Sequence, residues 1–182
     1  MKRSPAMADA VVLIEPLIPS LRRYAYLLLR DQTSADDLVQ DALERAISRW
    51  GQRRSDRDTR SWLFAIVHNL AANRLRQLAR RGVHVSIEDA HEDTFAAQPA
   101  QENALLCQDV FKAMQALPEE QRVVLLLVAV EGLSYEEVAR VVNAPTGTVM
   151  SRLARARDKL FQLIEGFPAE ADRQRPHLRR IK

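Results

Sequence analysis

The sequence predicts an all-α protein made of two small helical domains joined by a flexible linker. Only 5 Gly and 8 Pro interrupt the 182 residues, and aromatic residues make up 5%, a composition that favours helices over sheets. Apolar residues recur at spacings of three and four along most of the chain, which is the pattern of amphipathic helices. A chain of 182 residues is long enough for two domains of about 70 to 80 residues each.

Charge is segregated along the chain. The segment from Arg49 to Arg81 contains nine Arg and two Asp, whereas the segment from Val83 to Val110 contains six acidic residues and no Lys or Arg. The net charge of +3, which is a sum over the whole chain, does not show this difference between the two segments. The first segment is suited to contact phosphate and the second is not.

Two helices are predicted before the basic segment. Residues 1–10 are expected to lack regular structure, and helical spacing then runs from Leu13 to Arg30. The second helix is predicted from about Ala35 to Trp50 with Ser34 as its N-cap. Its apolar face holds Leu38, Ala42 and Ile47, and its acidic face holds Asp37, Asp41 and Glu44.

A third helix is predicted from Thr59 to about Arg81. A solvated face would normally mix acidic with basic residues, yet this helix has five Arg and no acidic residue. Its polar side therefore favours contact with DNA or RNA, with a plain solvated face as the alternative. The apolar stripe holds Leu63, Ile66, Val67, Leu70 and Leu78, and the polar side holds Asn69, Asn73, Arg76 and Arg80.

An acidic linker separates the two halves. Residues 85–104 contain Pro99 and lack helical periodicity, so they are typical of a flexible connection. Helical spacing resumes from Ala104 to Leu117, and Pro118 then starts a further helix that ends at Gly132.

A helix-turn-helix is predicted in the second half. Ser134 and Glu137 form a capping box at the start of a short helix, and Asn143 and Pro145 end it. A basic helix follows from Thr146, and in such motifs the second helix enters the major groove of DNA. An ordinary helical hairpin with a basic exterior is the alternative. The residues that would face DNA are Thr148, Ser151, Arg152 and Arg155.

The sequence offers no basis for a cofactor, a metal site or catalysis. The single cysteine, Cys107, has no partner for an internal disulfide, and the four histidines lack metal-ligand spacing. No phosphate-binding loop or nucleophile motif is present. We expect a cytoplasmic protein, because the N-terminus does not resemble a secretion signal.

Five segments of the chain carry a family resemblance. Three of them lie in the second half, at residues 116–125 (ALPEEQRVVL), 131–139 (EGLSYEEVA) and 145–157 (PTGTVMSRLARAR), and two lie in the first half, at residues 35–43 (ADDLVQDAL) and 60–71 (RSWLFAIVHNLA). The second-half segments are similar to region 4, and the first-half segments to region 2, of the extracytoplasmic-function (ECF) subfamily of the sigma-70 family of bacterial RNA polymerase sigma factors. The resemblance implies a region 2 domain at 11–84, a linker at 85–104, a region 4 domain at 105–165 and a basic tail at 166–182.

The resemblance also implies partners and site residues. The partners would be core RNA polymerase, through its clamp helices and flap, promoter DNA and an anti-sigma factor that responds to a stress or envelope signal. Trp62, which could stack on an unpaired base of the minus-10 element, is assigned to the core instead. Polymerase would contact Asp37, Leu38, Gln40 and Asp41. The minus-10 element would contact Arg53, Asn69, Asn73, Arg76 and Arg80, and the minus-35 element would contact Thr148, Ser151, Arg152 and Arg155.

One position departs from the family pattern. Met150 lies where many relatives have Lys or Arg, so the promoter sequence of relatives is not expected to transfer. Two alternatives remain open at this point: a sigma-shaped decoy that occupies an anti-sigma factor without binding DNA, and a helix-turn-helix repressor that binds DNA unaided. A decoy is expected to lose its basic recognition residues, which this chain retains.

Overall fold

The computed structural model describes residues 5–52, 59–80 and 109–165. All regular structure in these ranges is helical, which confirms the predicted all-α class. Several predictions fall on residues outside them: the linker at 85–104, the tail at 166–182, Arg53, Cys107 and three of the histidines.

The first predicted helix is two helices. Helix α1 spans Pro5–Ile14, a 3-10 turn spans Glu15–Leu17, and helix α2 spans Ile18–Leu29. Pro16 and Pro19 lie at the break, because proline has no backbone N–H to continue the helical hydrogen bonds. The expectation of no regular structure over residues 1–10 was wrong for residues 5–10, which are helical.

Helix α3 spans Gln32–Ser48 and begins earlier than predicted. Arg30 adopts a left-handed conformation with φ 60° and ends α2. Asp31 is the N-cap of α3, since its carboxylate accepts a hydrogen bond from the Ser34 N–H at 2.6 Å. Ser34, the predicted cap, therefore lies inside the first turn.

Leu38 and Ala42 of α3 are fully buried, as predicted, but Ile47 is 42% exposed. Nine residues separate Ile47 from Leu38, which is two and a half helical turns, so the two side chains point to opposite sides. Ile47 was thus wrongly assigned to the apolar face. After α3, a short 3-10 turn spans Trp50–Gln52.

Helix α4 spans Thr59–Arg80, within one residue of the predicted bounds. Its apolar stripe packs against α2 and α3 and completes the core of the first half. Tyr24 and Phe64 meet edge to face in this core, with ring centroids 5.4 Å apart. Trp62 is half-buried against the core and contacts Trp50 in the same manner at 6.2 Å.

The second half consists of helices α5 to α8. Helical residues 109–115 form the described part of α5, and α6 spans Glu119–Leu125. A π-helical turn at Leu126–Val130 continues α6, and Gly132, with φ 64°, ends it. The predicted end at Gly132 is therefore correct, although the last turn is wider than an α-helix.

The helix-turn-helix has the predicted local structure. Helix α7 spans Tyr135–Val141, and α8 spans Thr146–Glu165. The capping box is complete, because Ser134 Oγ accepts from the Glu137 N–H at 3.2 Å and Glu137 Oε2 accepts from the Ser134 N–H at 2.8 Å. Asn143 adopts the left-handed conformation with φ 49° in the turn between the helices.

The two halves pack against each other in this structure. Helix α7 contacts α4, and a cluster of buried apolar side chains extends through both halves. Glu131 lies at this seam with its side chain 0% exposed. Its carboxylate accepts two hydrogen bonds from Arg23, at 2.9 Å from Nε and 2.8 Å from Nη2, and its backbone carbonyl accepts a hydrogen bond from Arg60.

Candidate nucleic-acid interface

The first turns of α8 face a shallow groove of about 480 Å³. The other wall of the groove is the start of α6, from Pro118 to Gln121. Val149 and Leu153 hold α8 in place by packing into the core behind the groove. All four residues predicted to face DNA line this groove, namely Thr148, Ser151, Arg152 and Arg155.

The four side chains differ in exposure and in their contacts. Ser151 and Arg155 are exposed, whereas Thr148 and Arg152 are half-buried. The Ser151 hydroxyl donates to the Thr148 carbonyl at 3.0 Å, so its lone pairs remain available to a donor on a ligand. Arg152 forms an ion pair with Glu120 on the opposite wall, with 2.7 Å between Nη2 and Oε2. Met150 lies beside the groove and is 52% exposed.

The polar side of α4 forms a second surface. The four residues predicted to lie on it, Asn69, Asn73, Arg76 and Arg80, are all exposed. The Asn73 side-chain carbonyl accepts from Arg76 Nη2 at 2.7 Å, and the Ala72 carbonyl accepts from Arg76 Nε at 3.1 Å. Within the described part of the chain, no acidic side chain pairs with any of the four. The fifth predicted residue, Arg53, lies outside the described residues.

A third surface lies on α3. Asp37, Gln40 and Asp41 are exposed there, as a contact surface for a partner requires. Asp41 pairs with Arg74 of α4 at 3.0 Å between Oδ2 and Nη2. Leu38 does not belong to this surface, because its side chain is 0% exposed in the core. Leu38 lies within the region 2 motif, but it also lies on the apolar face of α3, and the apolar face determines where its side chain packs.

A buried tyrosine and a half-buried histidine anchor α4 below its exposed face. The Tyr24 hydroxyl and His68 Nδ1 lie 3.1 Å apart. Burial raises the pKa of Tyr24, and the charge of Glu131 raises it further. Burial lowers the pKa of His68, so both side chains are neutral at physiological pH.

In the described part of the chain, no three His, Cys, Asp or Glu side chains lie together in a way that suits a metal ion. None of the described helices is both long and apolar enough to cross a membrane.

A two-domain helical protein with a helix-turn-helix in its second domain is the class that this fold defines. Two family models match the chain: the sigma2 domain of PhyR over residues 14–68, and sigma-70, region 4 over residues 107–160. The chain is 36% identical to the ECF RNA polymerase sigma factor EcfG of Rhodopseudomonas palustris over 150 residues, which cover 81% of this chain and 80% of that protein.

Solved structures give the same result. The sigma factor RpoE of Bartonella quintana, solved in complex with the anti-sigma factor NepR, is 31% identical with a TM-score of 0.70, over 85% of this chain and 95% of that chain. CnrH, solved in complex with the cytosolic domain of CnrY, is 25% identical with a TM-score of 0.64, over 87% and 89%. The chain therefore belongs to the ECF subfamily of the sigma-70 family of RNA polymerase sigma factors, which are transcription initiation factors.

Sequence reasoning missed two acidic residues. Glu120 was interpreted only as part of a helix start, and Glu131 only as part of a motif, but Glu120 pairs with Arg152 and Glu131 pairs with Arg23. Both pairs join residues far apart in the chain, so no local pattern could have predicted them.

Proposed function

We propose that this protein binds core RNA polymerase and directs it to promoters, with each of its three polar surfaces contacting a different partner. The observation that carries the proposal is the groove along α8, where Thr148, Ser151, Arg152 and Arg155 converge on the exposed side of a helix-turn-helix. Hydroxyl and guanidinium groups at the start of a recognition helix suit base edges and phosphates in the major groove.

The α8 surface reads the minus-35 element as duplex DNA. Arg152 and Arg155 lie one helical turn apart on the same side of α8, and arginine recognises guanine through paired donors. Ser151 and Thr148 are nearer the helix N-terminus, where small polar side chains allow the backbone to approach phosphate.

The α4 surface holds the minus-10 element after its strands separate. Asn69 and Asn73 offer amide groups that can pair with an exposed base edge, and Arg76 and Arg80 can neutralise the sugar-phosphate backbone. The absence of acidic partners on this surface, within the described residues, leaves its positive charge available to DNA.

The exposed side of α3, with Asp37, Gln40 and Asp41, docks on the clamp helices of polymerase. Polymerase supplies all of the chemistry, and the protein itself is not an enzyme. It acts in the cytoplasm, where chromosomal DNA is transcribed.

Contact with both promoter elements requires the two halves to separate. Elements about 25 base pairs apart are separated by roughly 85 Å of duplex at about 3.4 Å per base pair. Helices α4 and α8 are about 33 and 30 Å long and both contact α7, so even end to end across the width of α7, about 10 Å, they do not span that distance. We therefore assign the packed arrangement to the protein before it engages a promoter, and the open form to the complex with polymerase.

An anti-sigma factor holds the protein inactive until a stress or envelope signal arrives. The sigma factor RpoE was solved with the anti-sigma factor NepR, and CnrH was solved with the cytosolic domain of CnrY; both resemble this chain over most of its length.

A decoy function is the second candidate, since the family model that matches residues 14–68 is the sigma2 domain of PhyR, and PhyR of Bartonella quintana was solved as an anti-anti-sigma factor complexed with the anti-sigma factor NepR. A decoy would occupy an anti-sigma factor and would have no use for a basic recognition helix. Arg152 and Arg155 in the groove favour the sigma factor.

Run-off transcription with core polymerase on a genomic promoter library, followed by sequencing of the transcript starts, separates the candidates. We expect new starts that share a minus-10 and a minus-35 sequence and that require this protein. Tight binding to an anti-sigma factor without any new start would support the decoy. DNA binding without polymerase and without new starts would support a repressor.

A further inference from the structure

The groove along α8 has walls of opposite charge. Its α8 wall contributes Arg152 and Arg155, and its α6 wall contributes Glu119 and Glu120. DNA carries a negative charge at every phosphate, so an acidic wall weakens nonspecific attraction to the groove. An acidic side chain in this position therefore needs an explanation beyond helix capping.

Glu120 acts directly on one recognition residue. Its Oε2 lies 2.7 Å from Arg152 Nη2, which is a close ion pair across the groove. The Arg152 side chain is 24% exposed, whereas that of Glu120 is 70% exposed. Glu120 thus lies at the solvent side of the pair and Arg152 lies deeper in the groove, so a ligand that reaches Arg152 meets Glu120.

We infer that Glu120 is a positioning residue that determines the base specificity of Arg152. The inference rests on the proposed reading of the minus-35 element by α8. The charge of Glu120 draws the guanidinium toward the α6 wall, which restricts the directions in which Arg152 can face a base. It also repels phosphate, so Arg152 gains little from a backbone contact in an incorrect register.

The two effects act in the same direction. Selective binding depends on the difference in affinity between correct and incorrect sites, and a repulsive element that penalises incorrect sites increases that difference. Without Glu120, Arg152 is free to rotate toward the nearest phosphate, a contact that carries no sequence information. Overall affinity would then rise while base preference would fall.

The experiment uses the full chain with core polymerase. A promoter recovered by transcript mapping is rebuilt as two libraries, one randomised at the minus-35 positions and one at the minus-10 positions. Transcript counts then give the base preference at each position. The variants are Glu120→Gln, Glu119→Gln, Arg152→Ala and the double variant Glu120→Gln with Arg152→Ala.

Glu119→Gln is the matched control. Both substitutions remove one acidic charge from the first turn of α6, so both weaken that helix equally through its dipole. The charge of Glu119 acts on Arg122, where it opposes the lowering of the Arg122 pKa by burial. Glu119 therefore controls for charge and helix stability but not for the pair with Arg152.

We expect Glu120→Gln to lower the ratio of best to worst base about fivefold at one or two minus-35 positions, which corresponds to one lost base discrimination. Preferences at minus-10 should match the parent protein, and Glu119→Gln, which removes charge from the wall without breaking the pair, should lower the minus-35 ratio less than Glu120→Gln does. Arg152→Ala should remove preference at the same positions, and adding Glu120→Gln should then change nothing further.

The inference is overturned if the minus-35 base preferences of Glu120→Gln equal those of Glu119→Gln. It is also overturned if Glu120→Gln still changes those preferences in the protein that carries Arg152→Ala. Failure of the proposed function gives a different result, in which Arg152→Ala leaves every minus-35 preference unchanged or the parent protein supports no transcription.

Discussion

The α4 and α8 surfaces differ in how their polar side chains are held. On α4, Asn69, Asn73 and Arg76 are exposed, and the one interaction between them joins Asn73 to Arg76 on the same helix. On α8, Arg152 is half-buried and tied to an acidic residue of another helix. An exposed surface can adapt to single-stranded DNA, whose shape varies, whereas a groove in which Arg152 is held by an ion pair suits the regular geometry of a duplex. This difference supports the proposal that the two halves contact different forms of DNA.

The largest effect on transcription is expected from a substitution on the α8 surface. Arg152→Ala should lower transcription from a minus-35-dependent promoter between about 5-fold and 150-fold, because one paired arginine contact discriminates by about 1 to 3 kcal/mol. The measurement is run-off transcription with purified core polymerase. Arg157→Ala removes the same charge from an exposed position outside the groove and should have little effect. Equal losses in the two variants would show that only net charge matters.

The packing of the two halves against each other can be tested at Glu131, which lies at the seam between them. Glu131→Gln should lower the free energy of unfolding by about 2 kcal/mol, which is less than the roughly 3 to 5 kcal/mol of a fully buried pair because the Arg23 side chain is 36% exposed. Urea unfolding measures the change, with Glu136→Gln, an exposed acidic residue on α7, as the control.

Replacement of both partners by methionine should restore most of that stability, since a buried ion pair often contributes no more than apolar side chains of similar size. If Glu131→Gln unfolds like the Glu136→Gln control, the ion pair does not stabilise the seam.

Met150 offers a smaller change that would make the α8 surface more basic. Met150→Arg should tighten duplex binding severalfold and steepen the dependence of log affinity on log salt by about 0.9, which is the release of ions from one phosphate. Met150→Gln removes the apolar side chain without adding charge and should leave the salt dependence unchanged. An unchanged affinity and slope in Met150→Arg would mean that this position does not reach DNA.

The smallest effect is a dependence of stability on pH through His68, which anchors α4 below its exposed face. Burial holds its pKa below the ordinary value of 6.5, so the unfolded chain binds a proton that the folded protein does not. Stability should therefore be fully present above pH 6.5 and fall as the pH drops toward the lower folded pKa. Urea unfolding at about pH 7.5 and about pH 5.5 measures this loss. His68→Asn should reduce the loss, and an equal loss in both proteins would contradict the assignment.

Much of the fold could be predicted from local signals. The capping box at Ser134 and the left-handed Asn143 depend on residues close in the chain, and the structure contains both. The break at Pro16 was missed because the apolar periodicity continues across it. Ile47 was misplaced because its spacing from Leu38 was not followed through two and a half turns.

The candidate site was predictable only in part, for the same reason. Exposed polar residues on one helix follow from its periodicity, so the faces of α4 and α8 were found. Glu120 and Arg152 lie 32 positions apart in the chain, and their pairing depends on how α6 packs against α8. Leu38 was predicted to contact polymerase because it lies within the motif for that contact, but its side chain is buried in the core.

The central claim is that the two surfaces read different promoter elements independently. Transcription from the paired minus-10 and minus-35 libraries tests it with Asn73→Ala and Arg155→Ala, two exposed residues outside the Glu120 pair. The account predicts that Asn73→Ala changes base preference only at minus-10 and that Arg155→Ala changes it only at minus-35. Changes at both elements from either substitution, or at neither element from both, would contradict it.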